Sequence, residues 1–153
     1  SVDMVISGQA FHWFDIPKAR AEFARILRDP GHVVLFWNER LTERTPFLRG
    51  YEEFITRFCP EYKNVTQKNL VASDFMALYG NGDYRTYRLE TSQSFDFDGL
   101  LGRLLTSSYS LTPSDPAYPE MTEALRGLFE SNRREGRVLM EYETNIYAGK
   151  IRG

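Results

Sequence analysis

The first forty residues constrain the fold most. Val2–Ser7 (VDMVIS) is a short apolar run rich in β-branched residues. It passes through Gly8-Gln9-Ala10-Phe11-His12-Trp13-Phe14 into a helix signal at Asp15. Ile16–Arg28 is amphipathic, with Ala19, Phe23, Ile26 and Leu27 near helical spacing. Asp29-Pro30-Gly31 breaks it, and Val33–Trp37 (VVLFW) is a second apolar strand. Two buried-type strands joined by one helix predict a crossover between parallel strands, which needs a larger sheet around it. The chain opens in the middle of such a unit, so the start of a larger fold is expected to lie outside it.

The rest of the chain reads as elements that extend this sheet. Asn38–Thr45 is polar and loop-like, and Pro46–Phe58 is helical, with Phe47, Tyr51, Phe54, Ile55 and Phe58 on one face. A short helix is expected at Ala72–Leu78, capped by Ser73 or a neighbour, before a turn at Gly80-Asn81-Gly82-Asp83. Tyr84–Phe97 alternates with period two and reads as a strand. Asp98–Ser107 reads as a helix capped by Asp98, and Glu120–Glu135 as a helix with Met121, Leu125, Leu128 and Phe129 inward, ended by Gly136. Val138–Ile151 is a long alternating strand. The expected count is four strands and about five helices. The first two strands should be parallel, and the last two should form a pair in which one is antiparallel.

Composition excludes several functional classes. Apolar residues at 42% and charged residues at 26% are globular values. A net charge of −2, with no basic block, gives no electrostatic case for nucleic acid. One cysteine, Cys59, and two histidines, His12 and His32, leave no disulfide pair and no ordinary zinc set. That usage fits a cytoplasmic location. No apolar run approaches the ~20 residues that span a membrane, and no charged-then-apolar leader precedes Val2.

The segment VDMVISGQAFHWFD…ARAEFARILRDPGHVVLFWN resembles the fourth strand, following helix and fifth strand of class I S-adenosylmethionine-dependent methyltransferases. GLLGRLLTSSY (Gly99–Tyr109) and GRVLMEYETNIYAG (Gly136–Gly149) resemble the C-terminal part of a small-molecule branch, the type 11-like one. The resemblance implies an α/β fold: the C-terminal part of a doubly wound, Rossmann-like sheet, mostly parallel with an antiparallel edge pair, and truncated. It implies one partial domain, with a strand–helix–strand core at 1–40, a helical and loop insertion at 41–83, and a C-terminal strand–helix–strand part at 84–153. Two departures stand out. Asp29-Pro30-Gly31 replaces the family's usual Pro-Gly-Gly. The glycine-rich loop after the first strand, and the acidic residue ending the second, have no counterpart in this sequence. Glycines let backbone approach the cofactor, and a carboxylate accepts its ribose hydroxyls.

The resemblance places Gly8, Gln9 and Ala10 against the cofactor, S-adenosylmethionine, in the complete protein. His12 follows the first strand at the edge where open α/β sheets bind ligands. An imidazole, with an ordinary pKa near ~6.5, can take a proton from a substrate hydroxyl, so His12 is the candidate base. The alternative is a ring that packs on Trp13 and bonds only backbone. Trp13 either walls a substrate pocket or fills the core. Asn38 either bonds substrate or starts a solvated loop. Arg103 could pair a substrate carboxylate, or stand as a surface charge, and Tyr109 would line the same side. Asp15 reads as a helix cap and Cys59 as buried and inert.

With its neighbouring strands absent, Val2–Ser7 would be an exposed apolar sheet edge, a template for pairing with a second copy of the chain. Two functions follow. One is the C-terminal half of a small-molecule methyltransferase, inactive as this isolated chain. The other is a non-catalytic α/β interaction module that dimerises through that edge.

Overall fold

In a computed structural model, residues 1–65, 71–80 and 84–151 are described. β1 (Val2–Gly8) and β2 (Leu27–Arg40) pair in parallel, joined by a 3-10 turn (Phe11–Trp13) and α1 (Ile16–Ile26). The Asp15 side chain caps α1 by accepting from the Lys18 amide at 3.2 Å, as its position in the sequence suggests. Met4–Gly8 lie opposite His32–Phe36 in continuous register. Val2 instead faces Leu27. Asp29-Pro30-Gly31 is therefore an irregularity inside a strand, where a break between elements was expected. A bulge accommodates surplus residues without ending the pairing.

Two further strands complete the sheet: β3 (Tyr84–Phe95) and β4 (Val138–Lys150), in the order β1-β2-β4-β3. The Leu41 amide donates to the Glu141 carbonyl, and the Thr144 hydroxyl to Asn38 Oδ1. Numbers rise on one strand as they fall on the other, so β4 runs antiparallel to β2. Arg137 with Ser94 and Arg88 with Glu143 give the same sense for β4 and β3. The sheet is thus mixed. The expected antiparallel pair at the edge is present as β4 with β3, and the one parallel pair is β1 with β2, because β4 is antiparallel to β2 as well. The alternating pattern of β4 reports partial exposure and carries no information on direction.

The chain forms two compact units, Ser1–Glu39 with Gln67–Glu90 and Glu143–Gly153, and Arg40–Thr66 with Thr91–Tyr142. In the first, Val33, Leu35 and Trp37 point alternately inward from β2 and meet Phe11. Phe75, Leu78 and Tyr79 of α4 (Ala72–Tyr79) complete that core. Each such aliphatic side chain contributes about 1.5–3 kcal/mol by leaving water. α1 buries no residue fully, and Ile16 and Phe23 pack against the cluster half-buried. The N-terminal end of α4 is held by Asp74, which accepts from the Val71 amide at 2.9 Å, so Ser73 is not the cap. Asn81-Gly82-Asp83 lie outside the described residues.

In the second unit, α2 (Pro46–Phe58) buries Phe47, Leu48, Tyr51, Phe54, Ile55 and Phe58, the face its spacing predicts. Thr45 caps it, accepting from the Leu48 amide at 3.1 Å. α5 (Phe97–Leu105) and α6 (Tyr118–Asn132) pack on the same core with Val138, Met140 and Tyr142. A short α3 (Tyr62–Val65) was not anticipated. The cap of α5 is Asp96, whose carboxylate accepts from the Gly99 amide at 2.8 Å. The reading of Asp98 as cap missed that Phe97 is already helical and buried. Gly136 does not end α6 directly. The helix stops at Asn132, and Arg134–Arg137 close a tight turn with both amides bonded across it. Its central residues, Glu135 and Gly136, have φ of 50° and 75°. Two positive φ values in succession define a type I′ turn.

Among the described residues, no helix is long and apolar enough to cross a membrane.

Candidate functional site

Six of the residues singled out in the sequence belong to the first unit, at the C-terminal ends of the parallel strands. Gly8 ends β1 opposite Phe36. A Cβ there would lie 2.4 Å from the Phe36 ring, so any larger residue makes that ring shift. Gln9 then takes a left-handed φ of 55°, which turns the chain out of the sheet. Its amide donates to the Phe36 carbonyl at 3.0 Å, and its side-chain Oε1 accepts from the Asn38 amide at 2.7 Å. Asn38 Oδ1 in turn accepts from the Thr144 hydroxyl at 2.7 Å. Gln9 and Asn38 are therefore brought together, and they fasten the ends of β1 and β2. Ala10 follows, its carbonyl accepting from the Trp13 amide.

His12 is half-buried, and its Nδ1 is fully buried with no hydrogen-bond partner among the described residues. Its ring lies 4.9 Å from the Trp13 ring, tilted by 45°. Of the two roles open to this imidazole, backbone bonding through Nδ1 is absent. Trp13 is 70% exposed, so it does not fill the core. Ser7, five residues earlier in β1, also buries an Oγ without a partner among the described residues. The two atoms lie at the C-terminal end of β1 and in the 3-10 turn that follows it.

Arg103 and Tyr109 belong to the second unit. Arg103, in the last turn of α5, donates from Nη1 to Ser107 Oγ at 3.2 Å. Tyr109 packs edge-on to Tyr62 at 5.0 Å. Both act on the hydroxyl of Tyr51, whose pKa burial raises well above the ordinary phenol value. Next to them, Arg40 Nη2 donates to Glu52 and to the Tyr62 hydroxyl, and Tyr62 also bonds Glu52 Oε1 at 2.9 Å. Burial is the largest influence on Arg40 and works against its charge, but the Glu52 bond together with the charges of Tyr62, Glu52 and Tyr51 outweighs it and keeps the guanidinium protonated. Burial likewise raises the Tyr62 phenol. Sequence reasoning missed Tyr51, Glu52, Tyr62 and Tyr142 in this cluster. Tyr51 was read only as part of an apolar stripe, and no local spacing links Arg40 to Glu52.

Asp15 makes an ion pair with Lys18 at 3.1 Å, and hydrogen bonds from Lys18, its amide first, hold its carboxyl below the usual range. Cys59 is buried, and desolvation pushes its thiol up, which disfavours the reactive thiolate.

A stretch of 57 residues, 37% of this chain, is 46% identical to an uncharacterized methyltransferase of Mycobacterium tuberculosis, of which it covers 23%. Over 111 residues, 72% of the chain, identity is 27% to an uncharacterized methyltransferase of Schizosaccharomyces pombe, with 42% of that protein covered. The chain therefore spans less than half the length of these relatives. In structure, 99% of it aligns with 65% of a candidate type II methyltransferase from Anaeromyxobacter dehalogenans, at a TM-score of 0.61 and 20% identity. No protein-family model matches the chain. By sequence and by fold, this chain is a partial match to the methyltransferases, covering only part of each relative's length.

Proposed function

We propose that the chain is the C-terminal portion of an S-adenosylmethionine-dependent methyltransferase that acts on a small molecule in the cytoplasm. On this reading the 153-residue polypeptide alone neither turns over nor grips the cofactor. The observation that carries the proposal is the 46% identity to a methyltransferase, supported by the positive-φ turn at the C-terminal end of a parallel pair.

The residues present fit one side of the cofactor. Gly8, Gln9 and Ala10 would pack against it through backbone, because the Gln9 amide and Oε1 are already engaged. The unsatisfied Ser7 Oγ and His12 Nδ1 suit a polar neighbour. The chain has no glycine-rich turn of its own for the remaining contacts. The cofactor, when bound, supplies a methyl group made electrophilic by a sulfonium. His12 would serve as the base that takes the proton of a substrate hydroxyl. Trp13 shields the reacting groups from water, and Asn38 holds the turn that positions His12. Arg103 and Tyr109 would contact substrate.

In the complete gene product, His12→Ala is expected to lower turnover by ~10²–10⁴-fold. Unchanged turnover would assign His12 to packing. The same product should encode a strand, a glycine-rich turn and a helix before Ser1; an unrelated upstream sequence would count against the enzyme.

A second reading rests on β1. It ends the order of strands, and Val2, Met4 and Ile6 are 42%, 49% and 63% exposed. An apolar edge of this kind pairs with another strand. We propose that the isolated chain dimerises through Val2–Ser7, with or without catalysis in the parent. Sedimentation of a strictly monomeric chain would exclude it.

A further inference from the structure

The tight turn between α6 and β4 brings three arginines to one cleft. Arg133 and Arg134 enter the turn, and Arg137 leaves it. All three line a cavity of about 680 Å³ that lies wholly within the second unit. Its apolar lining comes from Phe47 and Val138, which are buried, and from Pro46 and Leu139, which are exposed. Sites for small organic ligands have volumes of this order, about 300–1,000 Å³.

The charges around the cleft do not balance. Arg133 pairs with Glu130 at 2.5 Å. Glu141, the one carboxylate among the described residues that line the cleft, pairs with Arg44 at 3.3 Å. Arg137 is fixed in place: Nε donates to Ser94 Oγ and Nη2 to the Ser94 carbonyl, both at 2.8 Å. Its ion-pair partner, Asp96, stands 3.9 Å from Nη1, exposed and beyond hydrogen-bond distance. Arg134 is exposed, and among the described residues its side chain forms no ion pair or hydrogen bond.

Arg134 and Arg137 also oppose each other directly. They form an antiparallel bridge, with amide-to-carbonyl bonds of 2.8 and 3.0 Å across the turn. Residues so paired carry their side chains on one face of the ribbon, roughly 5 Å apart at Cβ, where like charges repel. Two guanidiniums carried side by side suit a dianion with at least three terminal oxygens. Each fork takes two oxygens, and a carboxylate has only two to offer. A phosphomonoester has three, and carries close to two negative charges at neutral pH. The geometry points to a binding site for a small organic phosphate, with its phosphoryl group between Arg134 and Arg137 and its apolar body along Pro46 and Leu139. The site uses no residue assigned above to methyl transfer, so it stands or falls independently of that reading.

Phenyl phosphate, inorganic phosphate and phthalate are titrated into the 153-residue chain at neutral pH and fixed ionic strength, with binding read by calorimetry. Phenyl phosphate should bind at least fivefold more tightly than either competitor. Inorganic phosphate lacks the apolar body, and phthalate is a dianion with a ring but no phosphoryl group. Arg134→Gln should weaken phenyl phosphate tenfold or more and leave the ligand-free Tm unchanged or higher, because it removes one of two like charges. Arg134→Glu should abolish binding and raise that Tm, because a carboxylate opposite Arg137 turns repulsion into attraction. A merely structural Arg134 would lower the ligand-free Tm in both variants. Arg85→Gln, at an exposed arginine of β3 outside the cleft, should leave binding unchanged. The proposal is overturned if phenyl phosphate does not bind at ~10 mM or below, or if either competitor binds within fivefold of it. It is equally overturned if Arg134→Gln lowers the ligand-free Tm, or if Arg85→Gln weakens binding as much as Arg134→Gln.

Discussion

At the scale of single residues, the strongest constraints come from atoms with no room or no partner. Gly8 is such a point. A methyl at Gly8 would press on the Phe36 ring at 2.4 Å, but that ring is half-buried and can swing. Gly8→Ala should therefore cost about 1 kcal/mol, at the low end of overpacking, and Phe36→Leu in the same chain should recover part of it. Denaturant unfolding of the three variants checks this. Tyr79 is held differently: its hydroxyl donates toward the Val33 and Tyr147 carbonyls, at 3.3 and 3.0 Å. Tyr79→Phe should cost about 1 kcal/mol through carbonyls left short of a donor. Burial raises the pKa of Tyr79 and of Tyr51 in the folded chain. The folded state then keeps protons that the unfolded state releases above pH ~10, so their contribution is present below that pH and lost as pH rises. Tm should fall between pH 9 and 11, and less steeply in Tyr51→Phe. A Tm independent of pH over that interval would contradict the burial of these phenols.

At the scale of elements, what could be read from the sequence was what has a period or a cap. Pro46–Phe58 was legible to the residue because a proline in the first turn and a continuous apolar face agree, and the Thr45 cap found in the structure fits the same start. The β1–α1–β2 crossover was legible for the same reason. The failures sit where two signals compete. Asp29-Pro30-Gly31 carries strong breaker residues, yet pairing across it continues, since Val2 is matched to Leu27 beyond the bulge. Asp96 and Asp98 are both good caps, and burial of Phe97 decides between them. Gly136 was assigned to a helix end, whereas the φ values show a two-residue reversal after the helix has stopped. That turn gives a prediction. Gly136→Ala should cost about 1 kcal/mol, and Glu135→Asn should stabilise by a few tenths, since asparagine tolerates positive φ better than glutamate. Thermal melts of the two variants should move in opposite directions; a shift of the same sign would contradict the turn type. The candidate site was legible only in part. His12, Gln9 and Asn38 stand out in the sequence because they follow strand ends, where open α/β sheets bind ligands, but the Arg40–Glu52–Tyr62 network joins residues that no local pattern connects.

At the scale of the whole molecule, the chain is a partial match to methyltransferases, and the first strand of its sheet has an exposed apolar side. Ile6, the most exposed of the three, is the natural place to probe it. Ile6→Lys should convert a self-associating chain to a monomer in sedimentation without lowering its Tm, because a charged edge discourages pairing while the core on the other face is untouched. An unchanged sedimentation profile would remove the edge from consideration. The most direct test is calorimetric titration of S-adenosylmethionine into the complete gene product and, in parallel, into the 153-residue chain. The account predicts micromolar binding by the complete product and none by the chain alone. Failure of the complete product to bind, or micromolar binding by the isolated chain, would contradict it.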